Sequence, residues 1–288
     1  LHYCAHMAHS HIAHFYALAA PDFVVGPDAP PAERNILGLI NKVGKEAGLK
    51  VIRARAGAQR VQEIIGGRAT HPVCNVPGGV SKAISEEERA EIEDIARNLV
   101  EFGEWSLQLF DDVVLKNQSY KNAILSDAYT ITTKYMGLVD EQNRLNFYDG
   151  KIRVVDEEGN EIVKFEAAEY LDHIAEHTEP WTYIKFPHLK RYGWKGLTLG
   201  ADSGIYRVAP LARLNVSDSL ATPKANEHFK RFYDTFGKKP VHHTLATHWA
   251  RLIEILYAAE RMVELVTDPE ITSTNIRNLP TEKPSEGV

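Results

Sequence analysis

Between about residues 144 and 165 the spacing of apolar side chains changes from every third or fourth residue to every second, and this switch limits the fold more than any other feature. Leu145, Phe147, Ile152, Val154, Ile162 and Phe165 alternate with polar residues, the two-residue period of a half-buried strand. Asp149-Gly150 is a hairpin signal and Glu158-Gly159-Asn160 marks a second turn, so a three-strand meander is expected over about 144–165. Before this stretch the spacing is mostly helical, and it becomes helical again in a last helix near the end of the chain. The expected class is therefore mainly α with a small β meander, an α+β chain, with 1–288 as a single domain and the meander inserted in a helical core.

The helical part is punctuated by proline and glycine. A first helix is expected over about 1–19, ended by Pro21, then a loop to Pro31 holding four prolines. Pro31 suits a first helical turn and Gly48 a stop, giving a second helix over about 32–47 and a third over about 49–65. Residues 66–83, rich in glycine and proline, read as ordered loop. Ser85 with Glu88 forms a capping box. The helix behind it carries Ile92, Ile95, Ala96, Leu99, Phe102 and Trp105 at 3–4 spacing, and helical pattern continues weakly to Lys134. From about 181 to 215 the chain reads as irregular, and a last strong helix is expected over about 244–267. There are no internal repeats.

Charge and cysteine count narrow the chemistry. A formal net charge of -6 argues against nucleic acid, because phosphate-binding surfaces carry a basic excess. No apolar run reaches the roughly 20 residues that span a bilayer. Two cysteines, Cys4 and Cys74, do not make a disulfide framework or a four-thiolate metal site. His2, His6 and His9 share a helix face at i, i+4 and i+7, which leaves a small zinc site open beside packing or interface histidines.

Three segments, in order, resemble the large subunit of nickel-iron hydrogenases. Ser10-His11-Ile12-Ala13-His14-Phe15-Tyr16, leading to Pro21-Asp22, resembles that family's Ser-His-x-x-His-Phe helix. Gly66-Gly67-Arg68-Ala69-Thr70-His71-Pro72, followed by Pro77-Gly78-Gly79-Val80-Ser81-Lys82, resembles the Gly-Gly-Arg-x-x-His-Pro and Pro-Gly-Gly loop of the cytoplasmic, cofactor-coupled branch, of F420-non-reducing or NAD-reducing type. Gly204 to Asn215 resembles Tyr-x-Val-Gly-Pro-Leu-Ala-Arg-x-Asn, with Ala209 at a frequent glycine and Arg213 at the arginine. The stretch from Arg277 to Val288 resembles the approach to a further family segment that begins Glu-Gly.

The resemblance implies a helical hydrogenase core and oxidation or evolution of hydrogen in the complete enzyme. The implied partners are the small (iron-sulfur) subunit, then further electron-transfer subunits. It implies that His71 faces a small-subunit iron-sulfur cluster and tunes it by hydrogen bonding. Arg68, Pro72, Pro77, Gly78 and Gly79 would belong to the loop and interface, while His11, His14 and Arg213 are family-motif positions without an assigned role. The family's nickel-iron centre takes four cysteines in two Cys-x-x-Cys pairs. Neither pair is present, so the chain is expected to be an interior fragment truncated at both ends, to carry no catalytic or metal-ligating residue, to be inactive alone and to be cytoplasmic. The competing expectation is a non-catalytic structural subunit related to the quinone-site subunit of respiratory complex I.

Overall fold

The computed structural model describes residues 1–279 and 281–283. Their contacts fall into two units, Leu1–Lys121 together with the segment from Arg251 onward, and Asn122–Ala250. The mainly helical α+β class holds in the elements of both.

In the first unit, α1 (His2–His14) runs through a five-residue π-helical turn, Phe15–Ala19, into α2 (Ala20–Val24). Pro21 was expected to end the helix. It stands instead in the first turn of α2, where a missing N–H costs no hydrogen bond, and the widened turn upstream makes room for its ring. Asn35 caps α3 (Ile36–Val43) by accepting from the Leu37 and Gly38 amides. The break after α3 is at Gly44, with φ 91, rather than at Gly48. Gly48 lies inside α4 (Lys45–Gly66), where an added Cβ would meet Ile40 at 3.0 Å. It is a close-approach glycine, and Gly44 takes the turn. The short strands β1 (Asn75–Val76) and β2 (Gly79–Val80) come next. Ser85 and Glu88 then close both halves of the expected capping box on α5 (Glu86–Phe110), whose Ile92, Ala96, Leu99 and Phe102 are buried. After a second π-helical turn comes α6 (Gln118–Leu125); helix does not continue to Lys134.

In the second unit Lys134 starts a strand. β3 (Lys134–Val139), β4 (Lys151–Val155) and β5 (Glu161–Phe165) form an antiparallel meander. It thus begins ten residues before the expected 144, and Leu145 lies in the connecting turn, held by an isolated bridge to Val139. The region expected to be irregular is built as well: after α7 (Tyr170–His173), β6 (Ile174–Thr178) and β7 (Lys185–Leu189) form a hairpin, and β8 (Tyr206–Arg207) adds parallel to β3. The sheet order is β5-β4-β3-β8. Tyr135, Val139 and Val155 pack with Ala212 and Val216 of α8 (Ala209–Val216) on one face. Met136, Val154 and Phe165 pack with Leu189 on the other. Covered on both faces, β3 has no polar side to show in the sequence. α9 (Pro223–Phe236) ends at Gly237, φ 66, and α10 (Thr247–Val266) matches the last expected helix. Its later part belongs to the first unit, where an added Cβ on Gly103 of α5 would meet the Leu256 Cα at 3.0 Å.

Candidate functional site

The segment after α4 forms a shaped loop because its glycines are needed one by one. Gly67 adopts φ 74 as the left-handed cap of α4, donating to the Glu63 carbonyl, the arrangement that favours glycine at a helix end. The Gly66 carbonyl then accepts from the amides of Val73, at 2.8 Å, and Cys74, at 3.1 Å, which ties residues 67–73 into a small ring. A Cβ on Gly66 would meet the His2 ring at 3.0 Å and Pro72 at 3.1 Å. The start of α1 and the Gly-Gly loop are thereby in direct contact.

The ring presents His71 outward. His71 has φ 56, a left-handed conformation on a non-glycine residue, which costs on the order of 1 kcal/mol. Arg68, His71 and Pro72 are all exposed. Pro77-Gly78, with Gly78 at φ 87, makes the tight connection between β1 and β2, proline presetting one corner and glycine supplying the positive φ of the next. A third strand-like piece closes this hairpin: the Val80 amide donates to the Ile276 carbonyl at 3.0 Å, the Asn278 amide to the Gly78 carbonyl at 2.8 Å, and Arg277 Nε to the Pro77 carbonyl at 3.2 Å. The Arg277 segment of the resemblance is thus laid on the Pro-Gly-Gly segment. Its continuation at Glu286-Gly287 lies outside the described residues.

The histidines of α1 do not act as one group. His11 is buried at 4% exposure, and its Nε2 lies 2.7 Å from an oxygen of Glu254, which is fully buried. Arg251 donates to His11 Nδ1 at 3.1 Å. Burial lowers the pKa of His2, His9 and His14; the Arg55 charge adds to this at His9 and the Arg251 charge at His14. Glu254 and Arg251 were not singled out from the sequence. The available signal was a glutamate inside the apolar run Leu252-Ile253-Glu254-Ile255-Leu256, where an exposed carboxylate has no place.

In the second unit Arg213 is half-buried on α8, its guanidinium 5.6 Å from the centre of the Phe147 ring. Ala209, at the start of the same helix, has φ 74. The expected site residues therefore come together only in part: the loop residues with His2 and Arg277, His11 with Arg251 and Glu254 of α10, and Arg213 in the other unit.

The donor set does not fit a nickel-iron centre. Cys4 and Cys74 are free and buried, burial pushes the Cys4 thiol up, and the Cys74 sulfur is packed against Gly67. Two such thiols do not supply four thiolates. Among the described residues no three His, Cys, Asp or Glu side chains are grouped to hold a metal ion, and no helix is long and apolar enough to cross a membrane.

No protein-family model matches the chain. It is 47% identical over 284 residues to an F420-non-reducing hydrogenase iron-sulfur subunit of Archaeoglobus profundus, covering 99% of this chain and 58% of that protein. With an F420-non-reducing hydrogenase vhu subunit of Methanococcus voltae it shares 42% identity over 288 residues, 100% of this chain and 65% of the relative. A solved NAD+-reducing [NiFe]-hydrogenase in the H2-reduced state superposes with TM-score 0.87 at 33% identity, over 98% of this chain and 60% of that one. The chain thus spans about six-tenths of the length of the proteins it matches.

Proposed function

We propose, from the premise that the chain belongs to the nickel-iron hydrogenase large-subunit family, that it is an interior part of such a subunit, in an enzyme that oxidises or evolves hydrogen. The nickel-iron centre of the complete subunit would supply the hydrogen chemistry. Its four thiolates would come from segments other than this chain, whose two cysteines are buried.

The chain contributes scaffold and an interface. The observation that carries this reading is the loop from Gly66 to Ser81, fixed from behind by His2 and by residues 276–278 while Arg68, His71, Pro72, Pro77, Gly78 and Gly79 face outward. On this reading the partner is the iron-sulfur small subunit, with further electron-transfer subunits beyond it, and His71 hydrogen-bonds a small-subunit cluster. Left-handed backbone held at an exposed histidine is the kind of strain that functional sites retain. A cytoplasmic location goes with the reading, because the NAD+ named for the solved relative is a soluble carrier. The relatives it matches are hydrogenase subunits, so the complex I reading is not carried further.

The test is to purify the chain alone and together with an iron-sulfur small subunit of a relative. The expected result is co-purification that weakens when His71 and Arg68 are replaced by alanine, with no stoichiometric nickel by elemental analysis of the chain alone. Absence of any association, or one nickel per chain, overturns the reading.

A further inference from the structure

His11 is enclosed by two charged side chains of one helix. Arg251 and Glu254 stand three residues apart on α10, on the same face. Together they grip both nitrogens of the His11 ring, Arg251 at Nδ1 (3.1 Å) and Glu254 at Nε2 (2.7 Å). The chemistry of the two partners decides which nitrogen carries the proton. A guanidinium has only donors, so Nδ1 must present its lone pair. Nε2 then carries the hydrogen and donates it to the Glu254 carboxylate.

The other two protonation states conflict with these neighbours. The Nδ1–H tautomer would set an N–H against the guanidinium N–H and turn a lone pair toward the carboxylate. A doubly protonated ring would put a cation against Arg251 in a site where His11 is 4% and Glu254 0% exposed, a low-dielectric setting in which such repulsion is large. The arrangement that remains is a chain of alternating partners: carboxylate, neutral imidazole, guanidinium.

We propose that Arg251 and Glu254 are positioning residues that hold His11 as the neutral Nε2–H tautomer, so that this motif histidine is a buried strut between α1 and α10 and neither a metal ligand nor a proton carrier. Both ring nitrogens are committed, which leaves no lone pair for a metal. Proton transfer through the ring would need a proton delivered at Nδ1, and the guanidinium there does not give one up. The assignment rests on side chains of this chain alone. It can fail while the hydrogenase reading stands, and the reverse.

The test is nitrogen NMR of the full chain with 15N-labelled histidine, in which a bare and a protonated ring nitrogen have well-separated resonances. The His11 signals are identified by their loss in His11→Asn. The expected wild-type pattern is a bare Nδ1 and a protonated Nε2. Arg251→Lys, which keeps a donor and a charge, should preserve that pattern. Arg251→Met should abolish the bare Nδ1 resonance, as the freed nitrogen takes a proton beside Glu254. A wild-type His11 protonated at Nδ1, or a pattern unchanged in Arg251→Met, overturns the proposal. A loss of the bare resonance already in Arg251→Lys overturns it too.

Discussion

Gly79 passes so close to the Ile276 carbonyl that a Cβ on it would lie 2.1 Å from that oxygen. The Gly79→Ala chain must therefore part β2 from residues 276–278, losing the Val80-to-Ile276 and Asn278-to-Gly78 hydrogen bonds. The expected cost is about 1–3 kcal/mol, the range for a backbone clash with lost hydrogen bonds. Amide exchange should speed up at Val80 and Asn278, while the α5 amides keep their protection.

Ala209 gives a prediction of opposite sign. At φ 74 its methyl group meets the following backbone, and glycine does not. Ala209→Gly should stabilise the chain by about 1 kcal/mol, read as a higher denaturant midpoint with an unchanged slope.

Lys134 is a buried cation with a full set of partners. Its ammonium lies 3.0 Å from Glu157 and 2.8 Å from the Ala201 carbonyl, with the Tyr192 ring at 4.4 Å; the Lys134 and Glu157 side chains are 1% and 8% exposed. Removing one charge strands the other. Lys134→Met should cost about 3–5 kcal/mol, and the double variant Lys134→Met with Glu157→Leu clearly less than the sum of its parts. A double-variant cycle by denaturant unfolding measures the difference.

Lys239 makes stability depend on pH. Burial pushes its ammonium down to about 8 from 10.5, against the pull of Asp218 at 4.0 Å. Between those two values the unfolded chain binds the proton that the folded chain releases, so stability rises with pH there. Tyr135, pushed up by burial to about 12 from 10.0, has the reverse effect above pH 10.0, where the unfolded phenol ionises first. Cys4, whose thiol burial pushes up from 9.0, also opposes the rise, from about that pH, so the clean window is pH 8 to 9. Unfolding free energies should climb across it in the wild type, and the climb should flatten in Lys239→Met.

Which parts of the architecture could be read in advance depends on the neighbours of each segment. The Ser85–Glu88 box and the long α5 are local devices, set by side chains within one turn, and both were legible. So was the turn at Gly159. β3 was missed because its two faces are both covered, by α8 and by Leu189, which erases alternation. Leu145 and Phe147 do alternate, yet they line a turn. For α9 the signal was present: Ala225, Phe229, Phe232 and Phe236 fall at helical spacing before Gly237. The outward loop was legible in Gly66, Gly67 and Pro77-Gly78. Its backing by His2 and by residues 276–278 was not, since no spacing rule links positions 200 residues apart.

That distance sets an order of events during synthesis. The hairpin at Pro77 is completed by Arg277, and His11 meets its carboxylate only at Glu254, so the segment from Asn122 to Ala250 leaves the ribosome while the first unit still lacks its last helix and its strap. Long-range contacts of this kind close late. The proposed docking face thus takes shape only once residue 278 has been made, and a partner that waits for it meets only chains whose translation has passed that point.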